Sequence, residues 1–124
     1  MLQKESRLKI ADNTGAKLGK IISLMNSTGT RFARLGDVVK VAVKEANPHG
    51  TVKKGSMANA VIVRTRKEVR RANGVYIRFD DNAAVLINAN NEPLGTRIFG
   101  PVASELKLKG ETFKEILSKA GQVL

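Results

Sequence analysis

The chain has 124 residues, 42% of them apolar, and a formal charge of +11 at neutral pH. That length and apolar share fit one folded domain with a real core, and the charge points to a polyanionic partner, nucleic acid first and an anionic membrane surface second. The absence of cysteine excludes disulfides and thiolate metal sites and fits a reducing compartment, and no apolar stretch is long enough to span a bilayer.

In chain order, MLQKESRLKI has no apolar signal-peptide core, and nothing there reads as a transit segment, which weighs against import of a nuclear-encoded precursor, although a mature or organelle-encoded chain would look the same. Residues 6–11, SRLKIA, read as a short strand, and Asp12-Asn13-Thr14-Gly15 as a turn cluster. Ala16 to Met25 forms a second strand, with Ile21, Ile22 and Leu24 as core candidates. A polar loop over 26–37 carries Arg31 and Arg34. In VVKVAVKEA, Val39, Val41 and Val43 alternate with Lys40, Ala42 and Lys44, the period of a half-buried strand. Residues 47–56 form a basic turn-rich loop with His49, Lys53 and Lys54.

The stretch from 60 to 88 carries the densest signal. Ala60-Val61-Ile62-Val63 reads as a buried strand, and AAVLIN, near the end, as another. Between them, residues 64–78 hold six basic residues and one acid, a net +5 of the chain's +11. Asn73-Gly74 between β-prone runs predicts a hairpin whose two loop residues both need positive φ. That register pairs Ala72 with Val75, Arg71 with Tyr76, Arg70 with Ile77 and Lys67 with Asp80. Neighbours on a strand face opposite ways, so Arg70 and Arg71 put charge on both faces, and the ribbon should leave the body toward something negative. The plainer alternative is a solvated edge hairpin whose charges only deter aggregation.

Several short strands with glycine-containing turns suggest a small closed barrel rather than a parallel α/β sheet, with Val41, Val43, Val61, Val63 and Val85 in its core. After the connector NANNEPLG, Pro101 precedes a short helical turn through SELK. Thr112-Phe113-Lys114-Glu115 fits a capping box. Phe113, Ile116, Leu117 and Ala120 then share a helical face, and Gly121 is the stop. The expected arrangement is a single domain over 1–124 with a helical segment from about 101 to 124.

Catalytic chemistry cannot be assembled. His49 is the only histidine and sits in a Pro-Gly loop. Asp80 and Asp81 are adjacent on a strand and face apart. No phosphate-binding glycine loop is present, so neither a metal nor a cofactor is expected. Aromatic residues are 4% of the chain, too few for a single-strand binder built on stacking. Contacts to phosphate and to RNA shape fit better.

The run Ala60 to Val63, with Asn73-Gly74, Phe79, Asn82 and Val85-Leu86, resembles the signature of the L-fourteen family of large-subunit ribosomal proteins, bacterial or organellar type. So do ADNTGA at 11–16, GDVVKVAVKEA at 36–46, VKKG at 52–55, VRTRKEVRR at 63–71, IRFDDNA at 77–83 and GTRIFGPV at 95–102. The resemblance is collinear over essentially the whole chain. It implies a mainly β fold: a small five-stranded closed β-barrel with a protruding basic β-ribbon and short C-terminal helices. It implies no enzyme, but a structural constituent of the large ribosomal subunit that binds large-subunit rRNA and packs beside neighbouring ribosomal proteins. It further implies an intersubunit bridge to small-subunit rRNA and a surface that receives the ribosome-silencing factor.

By matching position, the rRNA-binding residues would be Arg31, Lys44, Lys53, Lys54, Arg64, Arg66, Lys67, Arg70, Arg71 and Arg78. The intersubunit and silencing-factor surface would be Thr96, Arg97 and Ser118. Thr30 stands where a second basic residue is usual, Ser104-Glu105-Leu106-Lys107 replaces Arg-Glu-Leu-Arg, and 108–122 diverges further. The location implied is a cytoplasmic bacterial ribosome or an organellar one. The alternative is a free barrel-type RNA-binding factor or RNA chaperone. An RNA-modifying enzyme is weaker still, since no site for its chemistry is evident.

Overall fold

The computed structural model describes residues 2–24, 32–109 and 113–124. Its strands are β1 (Arg7–Ile10), β2 (Ala16–Leu24), β3 (Val38–Ala46), β4 (Met57–Arg64), β5 (Val69–Arg70), β6 (Tyr76–Ile77), β7 (Ala83–Ile87), β8 (Ile98–Val102) and β9 (Ala120–Val123). A 3-10 helix, Ser104–Lys109, and helix α1, Lys114–Lys119, lie between the last two strands.

Five strands close into a barrel in the order β1-β2-β3-β4-β7. The contacts are antiparallel except where β1 meets β7, with Lys9 beside Ala83 and Ile10 beside Ala84. That parallel seam removes both free edges. Directly paired residues share a face, so Ile21 and Val41, Val39 and Ala60, and Ala60 and Leu86 line one surface. All are fully buried in the barrel interior.

The same register puts Val61 and Val85 on the opposite, outer face, yet both are also fully buried. β4 and β7 are therefore apolar on both sides, and the outer side is covered. Ala103 N–H donates to Val63 O at 3.1 Å, which lays the segment after β8 along β4. Val102, Ala103, Leu106 and Ile116 are fully buried in this second layer. The five valines expected in one core thus divide between two.

Strands β8 and β9 were not expected from the sequence; they pair in parallel, Ile98 with Ala120 and Val102 with Val123. The terminal helix stops at Lys119, one residue before the strand begins. Its N-cap is Phe113, with no side-chain cap, and the capping box proposed through Thr112 lies outside the described residues. Phe113, Ile116 and Leu117 do form its buried face, whereas Ala120, expected on that face, and Gly121, expected as the stop, both lie in β9, because the chain turns extended at Ala120.

The ribbon β5-β6 differs from the expected hairpin by one residue. Val69 pairs with Ile77 and Arg70 with Tyr76. Arg71 N–H donates to Val75 O, and Gly74 N–H donates to Arg71 O. The loop is therefore Ala72-Asn73-Gly74. Gly74 has φ of +83°, while Asn73 is not among the described residues of positive φ. This is a type I turn closed by one left-handed glycine, the three-residue alternative to the two-residue loop. The shift puts Val69 and Ile77 on one face, packed against the core, and Arg70 with Tyr76 on the exposed one. The ribbon thus has an apolar side at its base, and Lys67 meets Glu68 at 3.5 Å rather than Asp80.

Candidate nucleic-acid interface

The basic residues fall into two groups once their surroundings are known. Lys44, Lys53, Lys54, Arg66, Lys67, Arg70 and Arg78 are exposed. Among the described residues only Lys67 of these forms an ion pair, with Glu68, whose carboxyl is held below its usual range by backbone hydrogen bonding and by Lys67. Lys53 Nζ donates to Pro48 O at 3.1 Å, which tucks its stem against the loop. Arg31 lies outside the described residues. His49 is exposed, its backbone N–H donating to Asn47 Oδ1.

Arg64 and Arg71 belong to the second group and differ from the expectation that they face RNA. Arg64 is 7% exposed. Its Nε donates to Asp81 Oδ1 at 2.9 Å, and its Nη1 to Phe99 O and Pro101 O at 2.9 and 3.1 Å. Asp81 also meets Lys9 at 3.6 Å. Arg64 therefore ties β4 to β8, a planar donor fork suited to holding two carbonyls and a carboxylate at once. Arg71 Nε lies 2.7 Å from Glu105 Oε1 without being aimed at it, so the contact is an ion pair rather than a hydrogen bond. Arg71 Nη2 donates to Leu124 O. The residue thus fastens the ribbon to the chain's last segment.

Thr96 and Arg97 are exposed, while Ile98 is buried at the start of β8 and Phe99 is 55% exposed. The turn at 11–15 holds this arm. Asn13 Oδ1 accepts from Thr96 N–H at 2.9 Å and Arg97 N–H at 3.2 Å, and Asn13 Nδ2 donates to Thr96 Oγ1 at 2.8 Å. Phe99 N–H donates to Ala11 O. The same turn supports the basic loop, through Asn47 N–H to Gly15 O and Val52 N–H to Thr14 O. Asn13 was read from the sequence only as a turn residue. Its partners lie 83 and 84 residues away, and no local pattern reports that. Ser118 is exposed on α1, its hydroxyl donating to Glu115 O at 2.7 Å. The parallel pairing of Ile98 with Ala120 puts Thr96, Arg97 and Ser118 at the same end of the β8-β9 sheet.

No group of three or more His, Asp or Glu side chains able to hold a metal occurs among the described residues. The described residues thus form a closed β-barrel that presents exposed cations on a ribbon and a turn-rich loop, the class of small basic barrel suited to a polyanionic partner. The family model described as ribosomal protein L14p/L23e matches residues 1–124, and the chain belongs to that family. It is accordingly a structural, non-enzymatic constituent of the large ribosomal subunit, among rRNA and neighbouring ribosomal proteins.

Proposed function

We propose that this protein grips large-subunit rRNA with Lys44, Lys53, Lys54, Arg66, Lys67, Arg70 and Arg78, and that Thr96 and Arg97 bridge to small-subunit rRNA. The supporting observation is that Arg97 is exposed on a backbone arm held from both sides: Thr96 and Arg97 by Asn13, Phe99 by Ala11. A guanidinium so presented offers a planar fork of donors to phosphate, and the Thr96 hydroxyl adds another. Ser118, at the same end, extends this surface, which would also receive a ribosome-silencing factor. The ribosome would be a cytoplasmic bacterial one or an organellar one.

Arg97→Glu tests the bridge, because it turns an attraction into a repulsion toward RNA. The variant should enter large subunits in normal amount yet form fewer joined ribosomes at low magnesium. If it is missing from purified large subunits, while subunits that do contain it join normally, Arg97 belongs to assembly contacts and the bridge assignment fails.

A further inference from the structure

We infer that Asn13 is the positioning residue of the Thr96-Arg97 surface: its side-chain amide sets the conformation in which the arm meets its RNA partner. The inference rests on the bridge reading above and adds the residue that makes that surface rigid.

The arm is anchored at its flanks by Leu94 N–H to Leu86 O and Phe99 N–H to Ala11 O, at 3.0 and 2.6 Å. Between these anchors, the described hydrogen bonds of the Thr96 and Arg97 amides both go to one atom, Asn13 Oδ1. The amide's orientation follows from its partners. Two backbone N–H groups can only donate, so the oxygen must face them and the nitrogen must face the Thr96 hydroxyl. That oxygen of Thr96 is used as an acceptor, which leaves its own O–H to donate outward.

The arm also lies hard against Asn13. A Cβ on Gly95 would come within 2.6 Å of Asn13 Oδ1, so any side chain at 95 would push the amide out of this position. Without these bonds, a polar segment of exposed backbone would sample many conformations, and each bound contact would have to order it first. An arm already ordered avoids that cost, which is the role assigned to Asn13.

Two measurements on the full chain test this. In the first, amide hydrogen exchange is followed in free wild-type protein and in Asn13→Ala. Exchange at Thr96 and Arg97 should accelerate about fivefold or more, the effect of losing a hydrogen bond of ordinary strength, with barrel amides unchanged. Unchanged exchange at both positions overturns the inference.

In the second, large subunits carrying Asn13→Ala, Arg97→Ala or both are joined to small subunits at low magnesium. Asn13→Ala should lower the joined fraction, and the double variant should lose clearly less than the two single losses combined, since Asn13 acts through Arg97 and its neighbour Thr96. Losses that add in full would show that Asn13 acts by a route other than Arg97 and would overturn the inference. If Arg97→Ala joins normally, the bridge reading fails, and the positioning role in bridging falls with it. The exchange result then still reports whether Asn13 holds the arm.

Discussion

At the scale of single residues, burial decides what a charge does. Arg64 stands close in sequence to Arg66 and Lys67, but its carboxylate partner is Asp81 and its carbonyl partners are Phe99 and Pro101. None of these partners is near it in sequence, so the three cations look alike until the chain folds. Asp12 is a second buried charge, 4% exposed. Its Oδ1 accepts from the Thr14 hydroxyl and N–H, and its Oδ2 from Leu86 N–H. Burial raises its pKa, and the bonds from Thr14 and Leu86 only partly offset this. The folded value therefore exceeds the unfolded one, so protonation favours folding. The resulting stabilisation is full below the unfolded pKa and is lost as pH rises through the folded one. Urea unfolding at a series of pH values should show wild type gaining stability relative to Asp12→Asn as pH falls from neutral into the carboxylate range. A relative loss on acidification would mean that the hydrogen bonds outweigh burial.

At the scale of elements, the ribbon shows how one residue of register reassigns function. Its existence was legible, because Asn73-Gly74 between β-prone runs is a strong hairpin signal. The loop length was not, since Asn-Gly serves both two- and three-residue loops. The observed pairing leaves Arg70 exposed beside Tyr76 and turns Arg71 toward Glu105 and Leu124. The two arginines should therefore behave differently. Salt dependence of RNA binding should flatten with Arg70→Ala by about 0.7–0.9 in slope, one phosphate contact. Arg71→Ala should leave the slope nearly unchanged and instead loosen the ribbon base, seen as faster amide exchange at Val69 and Ile77. Equal slope changes for both variants would contradict this division.

At the scale of the whole molecule, the segment after β7 is part of the core rather than an appendage. Val61 and Val85 face outward from the barrel and are nevertheless fully buried, as are Leu106 and Ile116. Truncating a fully buried isoleucine costs about 2–5 kcal/mol. Ile116→Ala should lower the unfolding free energy by an amount in that range. Unfolding should remain one transition when followed by both barrel and helix probes. Two separate transitions would show that the terminal segment folds independently of the barrel.

The sequence by itself determined the barrel strands, the ribbon, the buried face of the last helix and the family. These rest on local signals: side-chain period, turn chemistry and motifs in collinear order. The division of the valines between two core layers, the parallel strands β8 and β9, and the anchoring of Arg64 and Arg71 came only with the tertiary structure. So did the hold of Asn13 on Thr96 and Arg97. The physical reason is common to all of them. A hydrogen bond, an ion pair or a covering layer depends on which groups meet across distant parts of the chain, and charge or hydropathy along the chain carries no record of that meeting.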